Sequence, residues 1–368
     1  MKAVGLQVTS SGQTIRISCI VESSRLDTPQ QLWIELKGVE QVACTADIFL
    51  GPLLLPSMAA GEDLYLEAPL SARLIRACDQ IQEIYSSWVR NTHRIKVVAR
   101  SVYEPAGPRA TGRGSFFSGG VDSFYTLHKH RQTLTHLILV RGWDIRLDDD
   151  WRYEQTRSNV LKVATAEGKR LIEVATNIRA FMDTFVRWDY SHGGALAAAA
   201  LASAGTLGTV YIPSTFPYSR LAGWGSHPLL DPLWSNGAVE IVHDGCEHGR
   251  LQKVLAAVAR SPLAMETLRV CWKGRQQQYN CCRCEKCVRT MLCLYVAGVL
   301  DRCSAFPRRL SPLRVATRNF KLWTGLAEEI LQAMPRRTLS DRALSVALRI
   351  ALFRSRAYLA WKTLIGKA

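Results

Sequence analysis

The sequence predicts an α/β protein: a parallel sheet with helices on both faces, preceded by an α+β module and followed by helices. Beyond residue 113, short runs rich in Val, Ile and Leu alternate with helix-length amphipathic segments, the pattern of parallel strands buried on both faces. One of these runs leads directly into a glycine-serine turn that opens a helix. Before residue 104 the period changes to two, as in half-buried strands.

In the first 104 residues, Thr14–Val21 and Leu32–Leu36 alternate apolar and polar positions. Ser71 to Trp88 reads as a helix, because Leu74, Ile75, Ala77, Cys78, Ile81, Ile84 and Tyr85 form an apolar stripe. A strand at Ile95–Val98 follows. Glu104 to Gly112 has the proline and glycine content of a linker, which divides the chain into 1–104, 113–303 and 304–368. The second part offers strands at Ser115–Phe117, Leu137–Val140, Leu171–Ala175, Val210–Ile212 and Val239–Val242, with helices near Phe124–Arg131, Trp151–Glu167, Ile178–Arg187 and Gly194–Ala204. Ligands of such sheets sit beyond the carboxyl ends of the strands. The third part is basic and helical, and Leu344, Ala347, Leu348, Ala351 and Leu352 give Asp341–Trp361 a core-facing side. A helical cap or a homodimer contact is the default role for it.

With 368 residues, 48% of them apolar, the chain has enough material for sizeable cores. No basic-then-apolar leader and no run of membrane-spanning length is visible. The nearest candidate, Val346–Ile365, is broken by Arg349, Arg354, Arg356 and Lys362 and reads as a basic amphipathic helix. A soluble, cytoplasmic protein without a membrane span is expected. The net charge of +16 calls for a polyanion, and nucleotide, nucleic acid and acidic membrane all qualify. Nucleic acid is not favoured, since the cations are spread along the chain with some enrichment after Arg302 and the N-terminal region has no recognisable RNA-binding motif.

The stretch Phe117-Ser118-Gly119-Gly120-Val121-Asp122-Ser123 has the makings of a phosphate cradle. Two glycines admit an oxyanion close to the backbone, two serines bring hydroxyls, and the helix start offers unpaired N–H groups and the positive end of its dipole. The plain alternative is a glycine turn capped by Ser and Asp. No Gly-Lys-Ser/Thr follows, so the loop is not of the kinase type.

Eleven cysteines in a large chain with no secretion signal point to metal rather than disulfides, because six of them crowd between Cys271 and Cys293. Cys271, Cys281, Cys284 and Cys287 have the spacing of a closed four-sulfur site, for which Zn²⁺ is the first choice and an iron–sulfur cluster the rival. Cys282 should face away from the ion and Cys293 should pack on the next helix. Lys286 and Arg289, one turn apart, are either a solvated helix start or a pair of cations aimed at phosphate or an acidic substrate.

The loop resembles the PP-loop of the ATP pyrophosphatases, Ser-Gly-Gly-x-Asp-Ser. Joined to Cys-x9-Cys-x2-Cys-x2-Cys-x-Arg, it is similar to the 7-cyano-7-deazaguanine synthase group of that superfamily, over about Arg113 to Cys303. The resemblance implies a Rossmann-like sheet of the HUP type, with ATP and Mg²⁺ at Ser118, Gly119, Gly120, Val121, Asp122 and Ser123. It also implies zinc at the four cysteines and an AMP-forming C–N ligase that adenylates a carboxylate oxygen before ammonia attacks. The group lacks a front module like 1–104, and Trp224–Ser235 has no counterpart in its purine-recognising segment, which implies a different substrate.

On this reading Ser118, Gly119, Gly120 and Ser123 hold the β and γ phosphates, while Asp122 holds Mg²⁺ or fixes the loop. Val140 to Trp143 meet adenine and Asp144 the ribose. His192, Ser214, His227, Asp231, Lys286 and Arg289 are the substrate-side candidates, each with a plainer role as a turn or packing residue. Trp224 and Trp234 would sandwich a planar substrate or pack a lid. The acceptor is a small or macromolecular acid. A tRNA-thiolating enzyme is a second hypothesis, although Cys246, Cys282 and Cys293 form no evident reactive pair. A nucleotide-binding scaffold without turnover is a third.

Overall fold

The computed structural model describes residues 1–273, 278–321 and 323–364. Its ten strands are β1 (Lys2–Ser11), β2 (Thr14–Glu22), β3 (Gln30–Lys37), β4 (Leu64–Ser71), β5 (Val97–Tyr103), β6 (Gly112–Phe116), β7 (His136–Arg141), β8 (Arg170–Thr176), β9 (Leu207–Pro213) and β10 (Glu240–Asp244). All belong to one mixed, mostly parallel sheet in the order β10-β9-β6-β7-β8-β3-β2-β1-β4-β5. The fold is α/β.

The strands from β6 to β10 are mutually parallel. Their order across the sheet, third-second-first-fourth-fifth, reverses between β6 and β9, which opens a crevice at the carboxyl ends of those two strands. Alternate residues of β7 serve opposite faces: Ile138 joins one apolar core, Leu137 and Leu139 the other. Covered on both sides, such strands must read as unbroken apolar runs.

The sheet does not stop at the 104–112 linker. β3 runs antiparallel to β8, with Ile34 opposite Thr176 and Leu36 opposite Val174, so residues 1–104 extend the same sheet that residues 113–303 begin. The linker instead carries the chain from one edge strand, β5, to the interior strand β6. A helix at Asp47–Ala60, unsuspected because Pro52 and Pro56 interrupt its sequence, is buried from Asp47 to Met58. The helix expected to run to Arg187 closes at Met182, and the next one starts six residues before Gly194, at Trp188. No described helix is long and apolar enough to cross a membrane.

The buried helix Asp47–Ala60 crosses Trp188–Ala202 with backbone against backbone. A Cβ on Gly51 would stand 2.4 Å from the Gly194 carbonyl oxygen, and one on Gly194 would stand 2.3 Å from that of Gly51. Only glycine permits this approach, and both contacts are to backbone, which cannot step aside. Gly194→Val is therefore expected to cost about 3 kcal/mol or more, read as a fall in the urea midpoint of the full chain. A stability within experimental error of the parent would show that the two helices are not clamped this way.

Candidate functional site

The glycine loop follows β6 directly. Phe117 N–H still pairs with the Ile138 carbonyl at 2.8 Å. Gly119 then turns at φ +75°, a left-handed conformation that favours glycine, and the helix Val121–Lys129 begins with Gly120 as its cap and no side chain over its end. Phe124 N–H and the Ser123 hydroxyl both bond the Gly120 carbonyl, at 3.0 and 2.9 Å. The N–H groups of the first turn have no helical partner. Arg269 holds the loop from behind: its backbone N–H donates to the Gly119 carbonyl at 2.8 Å, and its guanidinium to the Ser118 carbonyl at 3.2 Å.

Above the loop, in the crevice between β6 and β9, lies a cavity of about 250 Å³. Ser118, Gly120, Val121, Asp122 and Ser123 line one wall, Val140, Trp143 and Asp144 a second, and His192 and Lys286 stand on it with Thr215, Ser226, Arg250 and Arg269. Most of the residues singled out from the sequence thus converge. Gly119 shapes the loop without facing the cavity. Ser214 is fully buried behind it and accepts from Lys253 Nζ at 2.9 Å, while its neighbour Thr215 faces inward.

Positive charge dominates the floor. Asp122 accepts from Arg250 Nη2 at 2.6 Å and lies 3.5 Å from Lys253 Nζ, and both cations are more than nine-tenths buried. Burial alone would raise the Asp122 carboxyl, but Arg250, Lys253, Lys286 and Arg289 hold it below the usual carboxylate range. Arg289, 2% exposed, lies with its guanidinium 3.7 Å from the centre of the Trp323 ring and 3.4 Å from Glu285; burial first, then Arg250, bring it down to about 10. Burial likewise lowers Arg269 and Lys286. The Nε atoms of Arg250, Arg269 and Arg289 are buried with no hydrogen-bond partner. At the mouth, the surrounding protein pushes Asp144 up, yet Lys286, Arg269, Arg179 and His192 keep it below the ordinary range, and 51% of its side chain stays open to solvent.

Asp122, expected to hold Mg²⁺ or to fix the loop, pairs its carboxylate with Arg250 and Lys253. His227 and Asp231 do not line the cavity. Asp231 is fully buried and accepts from Ser226 Oγ and from His243 Nδ1, both at 2.7 Å, and from His227 N–H at 3.2 Å, so its charge is consumed in bracing the Ser226 loop. His227 packs its ring edge-on to Trp88. Trp234 is core, and Trp224 meets Phe216 and His192 rather than Trp234. Arg250, Lys253 and Arg269 escaped sequence reading. The one sign of the first two was grammatical: β10 is followed by Gly249 and a helix that opens on Arg250, the same strand-glycine-helix order that marked Ser118.

Cys271, Cys281, Cys284 and Cys287 place their sulfurs within 4.8 Å of one another, the sole convergence of three or more His, Cys, Asp or Glu ligand atoms among the described residues. Cys281–Cys287 and Cys271–Cys284 are each 3.9 Å apart. One tetrahedral ion with metal–sulfur bonds of about 2.3 Å needs sulfurs about 3.8 Å apart, a cage too tight for a multi-iron cluster. The N–H groups of Arg283 and Cys284 point at the Cys281 sulfur, and that of Cys287 at Cys284, as suits thiolates. Cys282, at φ +54°, stays outside the set, and Cys293 is packed on the following helix. Asn280 ties the knuckle down through Leu268, Val270, Cys271 and Ala305. Cys284 also caps the helix Glu285–Val296, which carries Lys286 and Arg289. The cysteine knuckle, which could hold a metal ion, therefore aims both cations.

The chain matches no protein-family profile, no curated protein and no solved structure.

Metal analysis of the purified chain should find one equivalent of zinc, and Cys284→Ala should lose it together with several kcal/mol of stability, on the order of 3–5. Full stability after chelation would contradict the assignment. A second expectation concerns pH. Burial pulls the His243 imidazolium down, but Asp231 and Cys246 outweigh it and raise the group to about 9. A raised value means that the pair stabilises fully below the unfolded value of about 6.5 and loses that contribution as pH climbs through about 9. The expected loss is on the order of 3 kcal/mol. Urea unfolding from pH 6 to 9.5 should show it in the parent and not in His243→Gln; parallel profiles for the two proteins would refute the pairing.

Proposed function

We propose that the cavity binds ATP and that the chain transfers AMP from it to the oxygen of an acid, releasing pyrophosphate, in the manner of a PP-loop pyrophosphatase with a HUP-type sheet. One observation carries this reading: several buried cations, three of them with an unpartnered guanidinium nitrogen, surround an uncapped glycine loop at the strand-order reversal. Such a site is complete only with a polyanion in it. A triphosphate matches the charge, and the apolar wall of Val140 and Trp143 suits a base.

In this scheme the loop N–H groups and Ser118 and Ser123 hold the β and γ phosphates, with Arg250 and Arg269 neutralising them. Mg²⁺ arrives on the triphosphate rather than in a carboxylate cage of the protein. An acceptor oxygen forms a bond to the α phosphorus as the α–β bridging bond breaks, and the electron pair leaves with pyrophosphate. A nitrogen nucleophile then attacks the activated carbonyl carbon and AMP departs. Lys286 stabilises the charge passing through the α phosphate. His192 donates from Nδ1 to the Trp188 carbonyl at 2.9 Å, and burial favours its neutral form, so Nε2 is left as the acceptor for the nucleophile's proton. The acceptor reaches the site from an adjoining chamber of about 490 Å³, walled by Phe216, Trp224 and Trp323, which shares Thr215 and Arg250 with the first.

The thiolation reading has less support. Cys246, Cys282 and Cys293 are all buried, and none of them lines the cavity.

Titration calorimetry should give tighter binding of Mg·ATP than of AMP. Arg269→Ala should weaken it by about tenfold or more and slow ATP–pyrophosphate exchange by about 10²–10³-fold. Release of ADP and phosphate in place of AMP and pyrophosphate would overturn the reaction; unchanged ATP affinity in Arg269→Ala would overturn the site.

A further inference from the structure

The long helix Leu339–Leu364 has two apolar faces, and the structure uses one of them. Leu344, Leu348, Ala351 and Leu352 are buried in the second core. On the opposite side Leu339, Val346, Ile350 and Phe353 are 82%, 56%, 47% and 74% exposed, and Trp361 closes the row at 55%. Their spacing of seven, four, three and eight keeps them on one stripe. Arg342, Arg349 and Arg356 follow at seven-residue intervals along its flank, all exposed. Arg356 also touches Glu328, whereas the Arg342 and Arg349 guanidinium groups have no hydrogen bond or ion pair among the described residues. The helix holds a single acid, Asp341, and it is already bound by the Tyr295 hydroxyl and the N–H groups of Arg337 and Thr338.

We propose that this stripe docks the protein on an anionic lipid surface. An apolar row of this width belongs out of water. Its arginine flank demands negative charge beside it, and a headgroup layer above acyl chains offers both in the right order, with a tryptophan at the boundary. A second copy of the chain is a poor occupant, because antiparallel pairing of two such helices would lay the arginine row against itself with no acid to relieve it. Nucleic acid offers charge and little for the apolar row. The helix lies on the surface and does not enter as a span.

The test uses the full chain with vesicles of phosphatidylcholine alone and of phosphatidylcholine with equimolar phosphatidylglycerol, read by flotation. Binding should require the anionic lipid and fade in about 0.5 M salt. Val346→Asp with Phe353→Asp should abolish it while the thermal midpoint holds, since both side chains are solvent-facing. Arg342→Gln with Arg349→Gln should weaken it by about 30-fold. No flotation with either vesicle overturns the proposal, whether sedimentation then finds monomers or a dimer lost in Phe353→Asp, and so does equal flotation with neutral lipid. None of these readings depends on nucleotide turnover.

Discussion

The structure depends on how five buried or half-buried cations are held beside three carboxylates, those of Asp122, Asp144 and Glu285. Asp122 meets Arg250 and Lys253 directly and also feels Lys286 and Arg289, while Lys286 and Arg269 act on Asp144. Taking charges out of water costs several kcal/mol per ion unless partners replace the lost hydration. Asp122 compensates only part of this, and the unpartnered Nε atoms measure what is left. The rest of the fold therefore has to supply rigidity enough to keep like charges together until an anion arrives. That demand explains why so much of the surrounding polar detail is structural, such as Lys253 bonded to both the carbonyl and the hydroxyl of Ser214.

Much of that rigidity comes from the N-terminal third of the chain. The helix Trp188–Ala202 is clamped at two adjacent glycines: Gly194 against Gly51, and Gly193 so close to Gly225 that a Cβ would stand 1.8 Å from its carbonyl oxygen. Gly51 belongs to the N-terminal part, while Gly225 precedes Ser226 of the cavity wall. One residue before the pair, His192 faces the cavity. The front of the chain is thus a buttress for one wall of the site, joined to it through β3 and β8, rather than an appendage.

What could be read from sequence was whatever depends on near neighbours. The glycine loop, the parallel strands and the cysteine knuckle each fit within a few dozen residues, and their residue types have few other uses. Arg269 could not be read so, because its meaning lies in Ser118 and Gly119, about 150 residues earlier in the chain. The helix Asp47–Ala60 was masked by prolines that burial overrides. His227 and Asp231 looked like substrate groups because a histidine and an acid in a polar loop usually need a purpose; the purpose is His243, which the loop alone does not reveal. The continuity of the sheet was hidden for the same reason, since β3 finds its partner more than a hundred residues away.

Cysteine knuckle, cation cluster and C-terminal helices form one mechanical series. Cys284 fixes the start of the helix that carries Lys286 and Arg289, so the knuckle determines where both charges stand. Arg289 stacks on Trp323, which also stacks on Phe216 at 5.2 Å and 13° in the wall of the second chamber. The Trp323 backbone N–H donates to the carbonyl of Phe320, whose own backbone N–H donates to the Ser355 hydroxyl of the long C-terminal helix at 2.9 Å. The described residues after 304 are therefore not a detached cap: Trp323 among them provides the aromatic face over one of the buried cations. A force or a surface that shifted the C-terminal helix would be felt at Trp323, whose ring lies against the Arg289 guanidinium.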